Sequence, residues 1–361
     1  MRALITAGGR ATRLRPITWT LNKHLIPLAN KPMLEHAILK VVEAGIIDIG
    51  VNINEGDKEI SDALGDGARL GARLTYIEQK GGPKGLAHII KNARDVGFLK
   101  RGERFLMYLG DNIILGSLRH LVERFQNENR NCMLALSRVS DPERFGVPEI
   151  KDGRIVRVVE KPLEPMCDFA ITGIYLYDDR ALEAVDELKP SSRGELEISD
   201  LHQWYLDHGL NVGYEEITGW WKDTGKPEDL LEGNQLLLNE FRFEDSENGA
   251  EIGENVVIQG RVKIGHGTRI SEKVLIRGPV VIGENCEIKN SYIGPYTSIG
   301  DHTVITNTEI EHSIIFPHCR INAGTRIVDG IIGQNATVTS AHDTLPLGHK
   351  LVIGDNSVVE L

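Results

Sequence analysis

Apolar positions follow two different regimes along this chain. Over roughly the first 240 residues, short β-branched runs alternate with segments of helical spacing. Leu4–Thr6 reads as a short strand. Pro32–Ala44 puts Leu34, Ala37, Ile38 and Val41 on one face and stops at Gly45, which predicts an amphipathic helix. Ile46–Ile53 is almost wholly apolar, as a strand covered on both faces should be. The same logic predicts helices over Lys58–Leu64, Lys84–Val96 and Ser117–Asn127, and strands over Arg73–Glu78, Arg104–Leu109 and Cys132–Val139. This βαβα order predicts an α/β domain with a mostly parallel sheet and helices on both faces. From Gly146 a hairpin follows, Val147–Ile150 and Ile155–Glu160 around Lys151-Asp152-Gly153. Then come a strand (Phe169–Tyr177), helices over Asp179–Leu188 and Glu197–His208, and strand-like Asn211–Ile217 and Gly219–Asp223. A last helix starts with Pro227 in its first turn and runs to about Glu240.

After a polar, acidic linker, Asn239–Ala250, the period changes to six. Ile252, Ile258, Ile264, Ile270, Ile276, Ile282 and Ile288 lead the series. It continues through Ile293, Ile299, Ile305, Ile310, Ile315, Ile321, Ile327 and Ile332 to Val338. Six-residue periodicity is the signature of a parallel β-helix, with three strands to a coil and the isoleucines stacked inward. These sixteen positions make about five coils. Glycine often follows the repeat residue and is expected to supply a positive φ at the corner. Steps of five, as from 288 to 293, mark tightened corners. The expected domains are therefore 1–240, 251–345 and a tail, 346–361.

Net charge is −11, which argues against a nucleic-acid partner. The four cysteines lie far apart with no CxxC pair, which argues against a disulfide framework or a zinc site and fits a cytoplasmic protein. No apolar stretch reaches the length of a membrane span, and the N-terminus is not a signal peptide. Against this acidic background stands one cationic loop. Ala3-Leu4-Ile5 runs into Gly8-Gly9, and then Arg10, Arg13 and Arg15 follow closely, with Lys23 further on. Glycine lets backbone N–H groups approach an anion, and arginine offers a fixed fork of donors, so this loop suits phosphates. It falls at the carboxyl end of a strand, where ligands bind in such sheets, as does Gly110-Asp111.

Leu4 to Pro16 resembles the signature loop of the sugar-1-phosphate nucleotidylyltransferases, LAGGxGTRLRP. Further motifs of that family follow in order: Lys23-His24-Leu25-Ile26-Pro27, Gln79 with Gly85-Leu86-Ala87, and Leu109-Gly110-Asp111-Asn112. Then come Phe145-Gly146-Val147, Glu160-Lys161-Pro162, Thr172-Gly173-Ile174-Tyr175, Glu195-Leu196-Glu197-Ile198-Ser199-Asp200 and Trp221-Lys222-Asp223-Thr224-Gly225. With the repeat half, the combination is similar to the long form of the glucose-1-phosphate thymidylyltransferases. The resemblance implies a Rossmann-like, GT-A-like mixed-sheet domain followed by a left-handed β-helix of hexapeptide repeats.

It also implies a reaction in which a sugar-1-phosphate oxygen attacks the α-phosphorus of a nucleoside triphosphate and pyrophosphate leaves. The nucleophile is already an anion, so catalysis is positioning and charge neutralisation. By resemblance, Arg13 and Lys23 lie along the triphosphate, and Lys161 grips the phosphate of the sugar. Gly8, Gly9, Ala11, Thr12, Gln79, Gly85 and Leu86 would bind the nucleotide. Asn112, Gly146, Glu160, Lys161, Thr172 and Trp221 would bind the sugar phosphate. Asp111 and Asp223 would hold Mg²⁺. The expected substrates are dTTP, or UTP, with glucose 1-phosphate or N-acetylglucosamine 1-phosphate. A non-catalytic sugar-nucleotide sensor is the alternative, but all five of Arg13, Lys23, Asp111, Lys161 and Asp223 are present. The β-helix, with flat faces and open ends, suggests a homo-oligomer. Two positions depart from the family pattern: Ala11 replaces a glycine, and Asn22 replaces a proline, which is expected to free the backbone before Lys23.

Overall fold

A computed structural model describes residues 1–9, 11–217, 221–241 and 249–340. The expected tail at 346–361, most of the linker, Trp220 and His342 lie outside the described residues. The chain forms two compact units that do not follow a single cut near residue 240. One comprises Met1–Arg10 with Met33–Asp223; the other joins Ala11–Pro32 to the chain from Thr224 onward.

In the first unit, β1 (Arg2–Thr6) leads, by way of the second unit's hairpin strands β2 (Pro27–Leu28) and β3 (Lys31–Pro32), to α1 (Met33–Glu43). β4 (Asp48–Asn54), α2 (Glu59–Leu64), β5 (Arg73–Gln79), α3 (Leu86–Asp95), β6 (Phe105–Leu109), β7 (Asn112–Ile114), α4 (Arg119–Asn127) and β8 (Cys132–Arg138) follow. β9 (Gly146–Lys151) and β10 (Arg154–Glu160) form the hairpin. They precede β11 (Phe169–Tyr177), α5 (Ala181–Glu187), α6 (Ile198–Asp207), β12 (Val212–Glu216) and β13 (Trp221–Asp223). Seven strands make the sheet in the order β12-β8-β11-β6-β1-β4-β5. All pairs are parallel except those of β11, which runs antiparallel to both β6 and β8 and makes the sheet mixed. Side chains alternate across each strand. Leu4, Met107, Leu134 and Tyr175 face α3, α5 and α6, while Ile5 faces Leu34 of α1. Among the described residues, no helix is long and apolar enough to cross a membrane.

The first face carries a buried polar knot. His202 of α6 is wholly buried, shares a 2.6 Å hydrogen bond with the Tyr177 hydroxyl through Nε2, and leaves Nδ1 without a partner. Desolvation holds its pKa down to about 3. A histidine that stays neutral when folded but charges when unfolded favours the fold fully only above the unfolded pKa of about 6.5. Stability is then lost at about 1.4 kcal/mol per pH unit as pH falls from there toward 3. We expect His202→Gln to lose about 2 kcal/mol less than the wild type between pH 6.5 and 5 in urea titrations. Parallel pH profiles for the two proteins would contradict this.

The repeat half of the second unit is a parallel β-helix. Ile264 pairs with Ile282, then Ile299, Ile315 and Ile332 on one side. Ile270, Ile288, Ile305 and Ile321 line a second side, and Ile276, Ile293, Ile310 and Ile327 a third. Most of these isoleucines are almost completely buried; Ile327 and Ile332 are partly so. The five-residue step from Ile288 to Ile293 has a visible cause. Ser271 pairs with Lys289 and Val274 with Ser291, so two corner residues in one coil face the single Asn290 in the next.

The expected role of the glycines is corrected. Gly265, Gly283, Gly294 and Gly300 do not adopt positive φ; left-handed corner residues are instead Asn285, His302, His318 and Asn335, Asn290 and Asn307, and Tyr296, His312 and Asp329. Asparagine tolerates this conformation best after glycine. The glycines serve close approach between coils: a Cβ on Gly265 would lie 2.4 Å from the Gly283 carbonyl carbon, and one on Gly300 2.5 Å from the Pro317 nitrogen. His302 and His318 stack ring on ring at 5.0 Å, as corner residues. The four cysteines are free thiols.

Candidate active site

Four groups of residues in the first unit sit at the carboxyl ends of its strands. Gly8 and Gly9 follow β1. A Cβ on Gly8 would stand 3.1 Å from Asn54 Oδ1 and 3.6 Å from Gln79 Oε1, so only glycine fits there without displacing amides. The Asn54 side chain brackets the Gly9 peptide, accepting from its N–H at 3.2 Å and donating to its carbonyl at 3.4 Å. Gln79 is almost fully buried and lies between Asn52 (3.4 Å) and His88 (3.5 Å). The Gln79 amide is thus held between a second amide and an imidazole. Burial and the neighbouring Lys84 and Lys91 lower the His88 pKa, which favours its neutral imidazole.

Gly85, with φ of 97°, is more than a helix-start glycine. A Cβ there would meet the Leu196 carbonyl oxygen at 2.3 Å, and Leu196 is bonded to the backbone on both sides: its N–H donates to Lys84 and its carbonyl accepts from Ala87. The Glu195-Leu196-Glu197 motif therefore anchors the start of α3 and Leu86.

The carboxylates are brought together by a strand pair too short to be read from periodicity. β7 runs antiparallel to β13, with Asn112 opposite Asp223 and Ile114 opposite Trp221. Asp111 precedes Asn112, so this register brings Asp111 and Asp223 to the same end of the ribbon. Asn112 is nearly fully buried. It donates to Asp111 Oδ1 at 2.9 Å and accepts from the Trp221 indole at 2.6 Å. Trp221 in turn packs edge-on against Phe145. Asn112, expected at the sugar phosphate, spends one amide N–H on Asp111, which it orients, and its amide oxygen on Trp221.

The fourth group surrounds Glu160. Gly146 faces Glu160 across the β9–β10 pair, and a Cβ on it would stand 3.4 Å from Glu160 Oε2. Lys161 holds a left-handed φ of 46° and donates its N–H to the Phe145 carbonyl. Its ammonium lies 3.8 Å from Glu160. Arg193, absent from the sequence-based set, reaches Glu197 at 2.8 Å and Glu160 at 3.8 Å, adding a second cation beside Lys161. Its signal was position, two residues before the Glu195-Leu196-Glu197 motif. Thr172 is wholly buried and gives its hydroxyl to the Ala135 carbonyl at 2.9 Å, so only its backbone can serve a ligand.

The remaining candidates belong to the second unit. Ala11 occupies the left-handed region (φ 42°, ψ 43°), the conformation that glycine adopts at least cost, and its carbonyl accepts from Thr18 Oγ1 at 2.8 Å. Thr12 and Arg13 lie in the single 3₁₀ turn Thr12–Leu14. The Arg13 guanidinium passes 3.4 Å from where a Cβ of Gly225 would sit. Lys23 lies in another such turn, Lys23–Leu25. The expectation that Asn22 frees this turn is overturned. Its Oδ1 accepts from the His24 N–H at 3.0 Å and caps the turn in the way proline cannot.

The model of the nucleotidyl transferase family matches residues 2–240. The chain belongs to that family. It is a nucleotidyltransferase, and relatives match it along its whole length. The low-salt glycan biosynthesis nucleotidyltransferase of Haloferax volcanii is 43% identical over 365 residues, covering 100% of both chains. The glucose-1-phosphate thymidylyltransferase of Streptomyces griseus is 40% identical over 377 residues, covering 100% of this chain and 99% of that one. The solved structure of a Bacillus anthracis protein assigned as a glucose-1-phosphate thymidylyltransferase superposes with a TM-score of 0.60 at 40% identity. It covers 65% of this nucleotidyltransferase and 94% of the other chain.

Proposed function

We propose that this nucleotidyltransferase makes dTDP-glucose and pyrophosphate from dTTP and glucose 1-phosphate. The observation that supports the reading is the β7–β13 register, which brings Asp111 and Asp223 to one end of a two-stranded ribbon. Among the described residues no set of three or more His, Cys, Asp and Glu side chains is arranged to hold a metal. Two carboxylates alone fit a hard ion that takes its other ligands from phosphate and water. Asp111 and Asp223 would hold Mg²⁺, which when bound supplies charge neutralisation on phosphate oxygens.

The chain's own groups do the rest. Lys161 and Arg193 hold the anionic sugar phosphate, and Glu160 accepts from sugar hydroxyls. Arg13 and Lys23 neutralise the triphosphate and the departing pyrophosphate. A phosphate oxygen of the sugar forms the new bond to the α-phosphorus as the bond to the β-phosphate oxygen breaks, so no side chain need remove a proton. Full-length likeness to a thymidylyltransferase supports thymidine as the nucleoside. The test is pyrophosphate release from dTTP and UTP, each with glucose 1-phosphate and with N-acetylglucosamine 1-phosphate. Highest kcat/KM for dTTP with glucose 1-phosphate is expected. A UTP preference would overturn the nucleotide assignment, and no turnover of any pair would overturn the reaction.

A further inference from the structure

Within the second unit, the chain that follows Lys23 is tied directly to the β-helix. β2 and β3 form a hairpin in which Pro27 pairs with Pro32 and Leu28 with Lys31. Its two turn residues, Ala29 and Asn30, are both left-handed, at φ of 47° and 60°, as a two-residue turn of this kind requires. The turn is buried in a joint of three elements. Asn234, on helix α7 (Pro227–Glu240), is the hub and is wholly buried. Its Oδ1 accepts from the Ala29 N–H at 2.8 Å and from the Ser298 hydroxyl at 2.7 Å. Its Nδ2 donates to the Tyr296 carbonyl at 3.0 Å. Asn30 adds a direct bond, donating to the Ile299 carbonyl of the β-helix at 2.6 Å. Ala29, Leu238 and Val281 close an apolar cluster around these bonds.

One amide thus meets the hairpin, its own helix and a β-helix coil at once. Removing it would leave a buried N–H, a hydroxyl and a carbonyl without partners. The hairpin lies four residues from Lys23, and the Ile26 N–H donates back to the Lys23 carbonyl at 3.1 Å. We propose that Asn234 is a positioning residue, which through the hairpin fixes the turn carrying Lys23 and makes the β-helix a structural support of the phosphate-binding loop. The proposal rests on the role given above to Lys23.

The test uses the full chain and two variants, Asn234→Ala and Asn30→Gly. The second keeps the left-handed turn and deletes only the bond to Ile299. Amide exchange at His24, Leu25 and Ile26 is expected to speed up at least about ten-fold in both variants, while exchange at Ile276 and Ile293 stays unchanged. For Asn234→Ala, kcat should fall about ten-fold or more with KM for the sugar phosphate unchanged, because only the placement of a cation is disturbed. Should Asn234→Ala fail to fold, Asn30→Gly decides. Wild-type exchange at His24–Ile26 in a folded variant would overturn the proposal. A wild-type chain that turned over no substrate would overturn the reaction while leaving the exchange measurement decisive.

Discussion

Asp223→Ala is expected to lower kcat by at least about a thousand-fold, because the proposed Mg²⁺ would lose one of its two carboxylates and with it several kcal/mol of charge stabilisation. The melting temperature should barely move. β13 is held to β7 by antiparallel main-chain pairing over Trp221–Asp223, which alanine preserves. The indole bond from Trp221 to Asn112 and the edge-on contact with Phe145 also stay. Activity titrated against Mg²⁺ gives a second handle: residual turnover should need far more of the ion than the wild type does. A variant with normal activity and normal Mg²⁺ dependence would show that the carboxylate pair is not the metal site.

The second large effect comes from a residue that touches no substrate. Gly110 joins β6 to the Asp111 turn, and its N–H donates to the Thr6 carbonyl at 3.0 Å. A Cβ there would lie 2.3 Å from that same oxygen, and 2.9 Å from Leu34 Cδ1. The obstructing atom is main chain in the centre of the sheet, so it cannot rotate away. Gly110→Ala must part the ends of β1 and β6, at a cost of about 1–3 kcal/mol. The shift falls on the peptide before Asp111, so kcat should drop about a hundred-fold even in the folded fraction, as a displacement near 1 Å can produce. Urea titration and steady-state kinetics on the same sample check both parts. Wild-type stability with wild-type kcat would mean that the two strand ends have slack that the packing does not show.

Much of this architecture was legible because burial leaves a period. The isoleucine ladder and the strand Phe169–Tyr177 fall where the pattern puts them. What the pattern could not carry was direction, pairing and purpose. Nothing local says that β11 runs against its neighbours. β7 has three residues, too few for any period, yet its pairing is what brings the carboxylates to one end of the ribbon. A glycine after an isoleucine looks the same whether it serves a positive φ or a close approach. Gly283 and Gly300 prove to serve the second, with main chain pressed against them. Asn22 looked like a missing proline, because a side-chain cap is visible only once His24 is placed beside it. The grouping of Ala11–Pro32 with the chain beyond Thr224 is set by contacts remote in sequence, such as Asn30 with Ile299.

The candidate site divides in the same way. Motif spacing singled out Gly8, Asp111, Lys161 and Asp223. The groups around them, Asn54 on Gly9, Asn112 on Asp111 and Arg193 on Glu160, are ordinary polar residues whose tasks come only from their partners. Asn112 and Thr172 were singled out because they sit inside motifs; their buried bonds to Asp111, Trp221 and Ala135, which no motif announces, tie them to the frame as well.

The most direct test follows the α-phosphate. The wild-type chain is given Mg²⁺, glucose 1-phosphate and dTTP labelled at the α-phosphorus, and the products are separated. The account predicts that the label moves into the sugar nucleotide in step with unlabelled pyrophosphate, and that it returns to dTTP when pyrophosphate is added in excess. Label that stays in dTTP, or that emerges as dTMP without a sugar attached, would contradict it.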